Sequence, residues 1–463
     1  MLLRDRASWA LAITACVLIL IAPAVWNGFP LLQYDTGGYL APWFEGKLEI
    51  NRSVPYGLLL VAGRWWDFWP VVFVQSALTV WVMALTLRAH GLGQRPWLLV
   101  GMVAGLSVFT TLPWLTGILL TDIFAGLGVL ALYLLLLRDD ALRGGERIAL
   151  IVLFAASAAT HSGTMVVLVG LLLVATIVWL IDNARIPYAR LLRAVAALLL
   201  GTLMVLTANG IVTGRFAWTP GGIALTFGRM LENGIVKRYL DDHCPDKALR
   251  LCARKAELPI DADDFFWGEG IFDTLGRFDG MNGEMRRIAL ESIADYPLLQ
   301  IRSVVFETAK QLRMVDTGAG VVNWIWNSYG QIAAHVPDAV PAMKAARQQR
   351  GQLSFDAINT LQRPLAWLAM ALLPLIAFTT LRQPRLTDIG EFTASIALAI
   401  LGNAAVFGLL ATAHNRYGAR MIWLPAFALA IALVCLYERR TAAHRSAAAN
   451  RVPAGADGVK PST

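Results

Sequence analysis

Long apolar runs alternate with polar segments along most of the chain, and this pattern predicts membrane-spanning helices. A helical run of about 20 apolar residues matches the thickness of a bilayer. The predicted spans are residues 8–27, 69–87, 97–113, 118–137, 147–160, 163–181, 193–213, 364–381, 390–412 and 419–437. The pattern therefore predicts an all-α polytopic membrane protein with about ten transmembrane helices, of which the fifth is the shortest.

Two of the segments that connect the spans are long. Residues 28–68 are rich in aromatic side chains, which is typical of helices that lie in the membrane interface. Residues 214–363 show helical patterns broken by Pro and Gly, near residues 224–240, 283–313 and 341–362. The predicted organisation is an N-terminal membrane domain over 1–213, a mostly helical extracytoplasmic insertion over 214–363, a C-terminal membrane domain over 364–438 and a disordered cytoplasmic tail over 439–463.

Composition and charge agree with a membrane protein. Hydrophobic residues make up 57% of the chain and charged residues 16%, with a mean hydropathy of +0.56, which is too apolar for a soluble protein of 463 residues. If the N-terminus is cytoplasmic, the cytoplasmic segments hold 17 basic and nine acidic residues, a balance that equals the whole net charge of +8. The basic charge thus follows the positive-inside rule, and nucleic-acid binding is not expected.

This charge distribution predicts a multi-pass protein of a bacterial inner membrane with both termini in the cytoplasm. The first span also has the length and the Arg-flanked start of a signal peptide, and the loop after it faces outward in either case.

The four cysteines fall into two pairs. Cys16 and Cys435 lie inside predicted spans and are expected to be packing residues. Cys244 and Cys252 both lie in the large insertion, where an oxidising compartment favours a disulfide that closes a short loop. Two free thiols are the alternative for this second pair.

Six ionisable side chains are predicted to lie at the outward ends of separate membrane helices. Ionisable groups are costly inside a membrane, so a place where they gather is informative. They are Asp35, Asp122, His161, His414, Arg416 and Arg420. Their common depth predicts one site on the outward face.

Each of these side chains also has a purely structural interpretation. Asp35 and Asp122 are both favourable helix N-caps, and Asp122 is equally suited to an interhelical hydrogen bond. His161 alone is typical of a satisfied interfacial histidine. Arg416 and Arg420, four residues apart on one helix face, are suited to anchoring a helix at lipid headgroups. Without a functional site, all of these separate structural interpretations would have to be true of residues on the same face. A functional site is therefore favoured.

The residue types point to phosphate binding and proton transfer. Guanidinium groups bind phosphate bidentately and stay charged at an interface, and a carboxylate on a hydrated loop is suited to act as a general base toward a hydroxyl. The sequence has no Walker A motif and no G-x-G-x-x-G after a strand. A polyprenyl-linked phosphate donor is therefore favoured over a nucleotide-linked one.

With these features the chain resembles the GT-C superfamily of integral-membrane glycosyltransferases, which includes protein mannosyltransferases and the lipid A aminoarabinose transferase. The similar features are an early acid in the first outward loop, an acid at the outward start of a later span, and an Arg-rich turn before a Pro-containing last span. They are Tyr34-Asp35-Thr36-Gly37-Gly38-Tyr39, Thr121-Asp122, and Arg416-Tyr417-Gly418-Ala419-Arg420 followed by Pro425. The resemblance covers about the first 210 and the last 100 residues.

The resemblance implies roles for these residues. The loop acid of that superfamily is a catalytic base or a metal ligand, so this role is expected of Asp35. Basic residues near the membrane surface bind the carrier phosphate there, which implies that role for Arg416 and Arg420, with His414 beside them. Asp122 and His161 are expected to orient the donor or to hold Asp35. Many relatives carry a second acid close to the first, whereas here the next acid is Glu45; no cofactor is therefore expected, and a divalent metal is the alternative.

The sequence thus predicts an inverting membrane glycosyltransferase that moves a sugar from a polyprenyl-phosphate donor to an extracytoplasmic glycan, lipid or protein. One alternative is an enzyme similar to O-antigen polymerases and ligases, which would place its essential arginines in the large insertion. A second is a transporter or lipid flippase, which would need polar groups at mid-span and helices broken by Gly or Pro. A third is a member that has lost catalysis and serves as a binding scaffold.

Overall fold

The computed structural model describes residues 3–323 and 326–449. Within these ranges the chain forms α-helices and short 3₁₀ helices without a β-strand, and one isolated parallel bridge joins Leu31 to Ile118. The prediction of an all-helical protein is confirmed.

The N-terminal part of the chain forms eleven α-helices. They are α1 (Leu3–Asn27), α2 (Thr36–Leu40), α3 (Pro42–Glu45), α4 (Val54–Gly63), α5 (Trp69–Ala89), α6 (Pro96–Phe109), α7 (Leu112–Gly117), α8 (Asp122–Leu137), α9 (Gly144–Thr160), α10 (Ser162–Ile181) and α11 (Tyr188–Thr213). Proline occupies the first turn of α4, α5, α6 and α7, where its missing N–H group is not needed.

The rest of the described chain forms thirteen more. They are α12 (Gly222–Glu232), α13 (Ile235–His243), α14 (Arg250–Ala253), α15 (Ala262–Trp267), α16 (Ile271–Thr274), α17 (Arg277–Asp295), α18 (Pro297–Arg313), α19 (Trp326–His335), α20 (Val340–Ala345), α21 (Asp356–Leu381), α22 (Thr387–Leu410), α23 (Asn415–Ala419) and α24 (Trp423–Ala449). Short 3₁₀ helices cover Arg64–Trp66, Asp139–Ala141, Lys255–Glu257, Pro337–Ala339, Gln348–Arg350 and Pro384–Leu386.

Seven helical stretches within the described residues are long and apolar enough to cross a membrane. They are Arg6–Asn27, Trp69–Ala89, Ser162–Ile181, Tyr188–Thr213, Asp356–Leu381, Pro384–Leu410 and Asn415–Ala442. Two apolar helices, α6 and α8, are shorter. These stretches support a membrane-embedded protein, as the hydropathy pattern predicts.

α8 lies at the centre of the helix bundle. Its residues from Asp122 to Leu136 are all buried, whereas helices such as α10 and α11 bury only one side. A helix that is apolar on every side is typical of a position surrounded by other helices. The first residue of this central helix is Asp122, so the fold places a carboxylate in the middle of one end of the bundle.

Residues 28–68 and 214–363 lie at that same end, which we call the loop-domain face. The large insertion contributes to two separate hydrophobic cores. Residues of α12 to α17 form a core of their own around Phe227, Tyr239, Phe265 and Met285. Residues of α19 and α20, among them Tyr329, Ile332 and Met343, belong instead to the core of the membrane helices. The second half of the insertion is therefore part of the bundle's end.

The last helix, α24, continues to Ala449. The first part of the segment for which a disordered tail is predicted from the sequence is thus helical, because α24 extends past the predicted end of the last span at residue 437. Residues 450–463 of that tail lie outside the described residues.

Candidate functional site at the loop-domain face

Asp35 lies in the turn that leads into α2, and the packing around α2 holds it in place. The Asp35 backbone N–H donates to Gln33 Oε1 at 2.8 Å, and the Gly37 N–H donates to Ser328 Oγ of α19 at 2.9 Å. A Cβ atom at Gly37 would lie 2.7 Å from the Ser328 Cα atom. Glycine at this position therefore allows α19 to pack directly on α2.

The Asp35 carboxylate is held by two arginines from distant parts of the chain. One oxygen accepts a hydrogen bond from Arg52 Nη2 and the other from Arg416 Nη1. The side chain makes no hydrogen bond that caps α2, although Asp35 occupies the N-cap position. The carboxylate therefore serves the contact with the two guanidinium groups, and the capping interpretation does not describe its side chain.

Arg416 joins Asp35 to Asp122. Its Nε donates to Asp122 Oδ2 at 2.9 Å and its Nη2 lies 3.5 Å from Asp122 Oδ1, while Nη1 bonds to Asp35. The Arg416 side chain is 12% exposed and that of Asp122 is 3% exposed. One guanidinium thus bridges a carboxylate of the turn before α2 and a carboxylate of α8.

Charge and burial act in opposite directions on Asp35. Burial opposes the charged carboxylate, but the Arg52 and Arg416 guanidinium groups outweigh this effect and hold the pKa of Asp35 below its usual range. The carboxylate is therefore ionised and well paired at neutral pH. The paired Asp35 carboxylate is a weak base, and it becomes a stronger base only when at least one of the two arginines moves away from it.

Arg420 lies in the same region but faces inward. It is completely buried, donates to Asn403 Oδ1 at 3.1 Å and 2.8 Å, and lies 3.3 Å from Thr164 Oγ1. Its guanidinium carbon lies 4.6 Å from the centre of the Phe407 ring. These contacts engage the Arg420 guanidinium within the helix bundle and leave it no free edge toward a ligand. Its positive charge still acts on the cluster.

His161 lies in the turn between α9 and α10, beside the arginines. Its Nδ1 accepts a hydrogen bond from the Gly163 N–H at 3.0 Å, which leaves Nε2 to carry the proton of the neutral ring. Burial and the nearby Arg420 and Arg416 guanidinium groups lower the pKa of His161 well below its usual range. His161 is therefore a neutral hydrogen-bond donor at neutral pH.

His414 faces away from Asp35 and toward the insertion. Its Nε2 lies 2.8 Å from Thr412 Oγ1 and 4.0 Å from Asp263 Oδ2. Its backbone N–H and carbonyl are both bonded to the Gln311 amide at 3.0 Å. The structure thus brings Asp35, Asp122 and Arg416 into direct contact, places His161 and Arg420 next to them, and separates the His414 ring from the cluster.

Arg52 belongs to the cluster although the sequence analysis did not select it. The same loop contains Lys47 and Arg64, and no feature of the sequence distinguishes Arg52 from these two. Its contact with Asp35 depends on the path of the loop over α2, where a Cβ atom at Gly38 would lie 3.1 Å from Arg52 Cγ. The Gly37-Gly38 pair, rather than the arginine, is the feature of the sequence that marks this close packing.

An apolar cavity of about 250 Å³ lies between α6, α21 and α24. Apolar side chains such as Phe109, Leu365, Ile422 and Leu433 form most of its wall. A smaller cavity that shares Ile422 and Val315 with it reaches Asn403, the partner of Arg420. The smaller cavity therefore lies beside a residue that Arg420 contacts.

Cys244 and Cys252 are joined by a disulfide, which closes a short loop in the insertion far along the chain from the cluster. Cys16 and Cys435 are free and buried among the membrane helices. In the part of the chain that the structure describes, no three His, Cys, Asp or Glu side chains are grouped so as to hold a metal ion.

Two carboxylates and three guanidinium groups meet in this cluster, so it carries an excess of positive charge around Asp35. A cluster with this excess of positive charge is suited to binding an anion. Comparisons of the chain with protein-family models, curated proteins and solved structures found no match.

Proposed function

We propose that the chain is a membrane glycosyltransferase of the GT-C kind, which moves a sugar from a polyprenyl-phosphate donor to an acceptor hydroxyl. The observation that carries this proposal is the Asp35 carboxylate held between Arg52 and Arg416 at the loop-domain end of the membrane helices. Phosphate chemistry needs guanidinium groups and acceptor activation needs a base, and both are in contact here. In this proposal the chain crosses a bacterial inner membrane ten times, with the loop-domain face outward.

Donor binding and base activation are coupled in this cluster. The donor phosphate competes with Asp35 for the N–H groups of Arg52 and Arg416, because both are anions that bind guanidinium through paired oxygens. When the phosphate takes these bonds, the Asp35 carboxylate loses its counter-charges and becomes a stronger base. Asp122 keeps its contact with Arg416 Nε, so the arginine stays oriented while its Nη1 changes partner.

The reaction is a single displacement. The acceptor oxygen forms a bond to the anomeric carbon while the bond between this carbon and the phosphate oxygen breaks, with inversion at carbon. The acceptor hydroxyl proton moves to Asp35, and the polyprenyl phosphate leaves with the electron pair, neutralised by Arg52 and Arg416. His161 donates its Nε2 proton to a donor hydroxyl, and the apolar cavity beside α21 and α24 accommodates isoprenoid units.

The test compares envelope glycans of a strain that lacks the protein with those of strains restored by wild type or by variants. Asp35→Asn keeps the shape of the side chain but cannot accept the proton, so it should fail to restore the glycan that wild type restores. Asp67→Asn is the matched control, since Asp67 lies in the same first loop and outside the ion pairs of the described chain. Full restoration by an Asp35→Asn protein that is present at the wild-type level would refute the base assignment.

A binding measurement separates donor recognition from catalysis. Purified full-length protein in lipid nanodiscs should bind undecaprenyl monophosphate, and Arg416→Ala should weaken this binding by about tenfold or more, as expected for loss of a charged hydrogen-bonding partner. Arg64→Ala serves as the control, because Arg64 stacks on Trp65 in the same loop and lies outside the cluster. Equal binding by wild type and by Arg416→Ala would contradict phosphate recognition at this site.

A further inference from the structure

Helix α18 has its polar and apolar sides reversed relative to a helix of a soluble domain. Its buried side chains are Gln300, Ser303, Glu307 and Gln311, all of them polar. Its exposed side chains include Leu298, Ile301, Val305 and Phe306, with exposed fractions of 80%, 62%, 63% and 59%. A helix that faces water on its outer side shows the opposite distribution.

The polar side of α18 is hydrogen-bonded to neighbouring elements, although Gln300 Nε2 is buried without a partner. Arg229 of α12 donates to Ser303 Oγ at 2.6 Å and to Gln300 Oε1 at 2.8 Å. Glu307 accepts from Asn233 Nδ2 at 3.1 Å and from the Ala413 N–H at 3.2 Å. The polar side of α18 therefore faces the interior of the insertion. The exposed apolar side faces away from it.

α18 packs along the apolar helix α22, which is among the stretches long enough to span a membrane. A Cβ atom at Gly408 would lie 2.6 Å from Thr308 Oγ1 and 2.7 Å from the Thr308 backbone nitrogen. Further along, the smaller cavity is lined by Leu312 of α18 together with Ile400 and Ala404 of α22. The C-terminal half of α18 therefore lies beside the last turns of a membrane helix, below its end at Leu410.

The exposed side of α18 continues the exposed apolar surface of the membrane helices. Trp367 Nε1 of α21 lies 3.3 Å from the Arg313 carbonyl oxygen, so α18 ends against a second spanning helix. Leu368 on α21 and Leu409 on α22 are exposed apolar side chains at the same end of the bundle. Leu290 and Ile293, near the end of α17, are exposed apolar side chains as well.

We propose that this side of α18 is immersed in the lipid of the leaflet at the loop-domain face, so that the partner of the surface is the acyl chains of the bilayer. Acyl chains fit an apolar surface that borders two spanning helices. The two exposed charges on this side, Arg302 and Arg313, have side chains long enough to extend their guanidinium groups to phosphate headgroups. The insertion is then anchored in the membrane and is not a freely hydrated domain.

Immersion has a consequence for the charged cluster. Gln311 of α18 bonds to both the N–H and the carbonyl of His414, two residues before Arg416. Lipid that holds α18 against α22 thereby also holds the turn that carries Arg416. α18 therefore connects the lipid to the turn at residues 411–420.

The test measures the surroundings of a nitroxide attached to the full-length protein in phosphatidylcholine vesicles. Single cysteines replace Phe306 or Val305 in a variant with Cys16 and Cys435 changed to Ala and the disulfide retained. Ile260→Cys is the control, because Ile260 is also an exposed apolar residue of the insertion but lies outside α18. Collision rates of the nitroxide with oxygen and with a water-soluble nickel chelate are then compared.

At positions 305 and 306, frequent collisions with oxygen and several-fold fewer collisions with the nickel chelate than at position 260 would support the proposal. Nickel collisions as frequent as at position 260 would overturn it, because they would place α18 in water. Low collision rates with both reagents, together with spin–spin broadening between labelled molecules, would overturn it in favour of a second copy of the chain. Since these side chains are exposed, the substitutions should leave the midpoint of thermal unfolding unchanged.

Discussion

At the scale of single residues, the two arginines that hold Asp35 differ in the number of carboxylates with which they pair. Arg416 forms ion pairs with both Asp35 and Asp122, whereas Arg52 forms its ion pair with Asp35. Loss of Arg416 leaves Asp122 without its ion-pair partner and Asp35 with Arg52 alone, whereas loss of Arg52 leaves both carboxylates paired with Arg416. The two arginines are therefore not equivalent.

Replacement of each arginine by lysine tests this difference. Lysine keeps the charge but offers a single ammonium group, which reaches one carboxylate at a time. Arg416→Lys should lower the free energy of unfolding by about 1–3 kcal/mol more than Arg52→Lys, since it gives up an additional charged hydrogen bond. Thermal or chemical unfolding in the same detergent gives this comparison. Equal losses would contradict the bridging role of Arg416.

The pH dependence of stability tests the pairing of Asp35. Because its pKa in the folded protein is below the usual value of about 3.9, the unfolded chain binds more protons between these two pKa values, and stability rises with pH across that interval. The stabilisation is complete above the ordinary carboxyl pKa and is lost as the pH falls through the depressed one. The stability difference between wild type and Asp35→Asn should thus be constant near neutral pH and shrink in acid. A difference that grows in acid would show that the pKa of Asp35 is raised.

The sequence predicted a common depth for the six ionisable side chains, because spans that alternate in direction bring each helix end to a definite side. It could not predict which side chains touch. The direction of Arg420 depends on Asn403 and Thr164, two polar residues inside spans, and the direction of His414 depends on Gln311 of the insertion. These contacts join residues far apart in sequence, and hydropathy carries no information about them.

At the scale of elements, α18 shows where a hydropathy average fails. The predicted helical pattern over 283–313 is divided in the structure at Tyr296, just before Pro297, into α17 and α18. The average over α18 is near neutral because its buried polar side cancels its exposed apolar side. The pattern predicts a helix but does not tell which of its sides faces inward.

Packing of α18 on α22 can be tested at two glycines of α22. A Cβ atom at Gly408 would collide with Thr308, whereas a Cβ atom at Gly402 would meet nothing within 4 Å. Gly408→Ala should therefore destabilise the protein by about 1–3 kcal/mol through overpacking, and Gly402→Ala should be neutral or stabilising by up to about 1 kcal/mol through helix propensity. Midpoints of thermal unfolding of the two variants decide this. A neutral Gly408→Ala would mean that α18 and α22 are not in close contact.

At the scale of the whole molecule, alternation of long apolar helices explains why the polar elements collect at one end. Each predicted span coincides at least in part with one of the described helices, and the two long connecting segments both join helices at the loop-domain face. The length of α8 was less predictable, because a helix enclosed by others needs no lipid-facing surface of full bilayer thickness. The excess of basic residues on the opposite face orients the molecule if the positive-inside rule applies.

Cysteine labelling in intact cells tests that orientation. With Cys16 and Cys435 replaced and the disulfide kept, single cysteines at Lys47 and Lys247 occupy exposed positions on the loop-domain face, and one at Asn183 is exposed in the turn between α10 and α11 on the opposite face. A membrane-impermeant maleimide should label positions 47 and 247 and leave position 183 unlabelled until the membrane is permeabilised, because only the loop-domain face is predicted to be outward. Labelling of position 183 alone in intact cells would show that the topology is the reverse of the predicted one. Asp35 and Arg416 would then face the cytoplasm, and the proposed transfer to an extracytoplasmic acceptor would fail with the orientation.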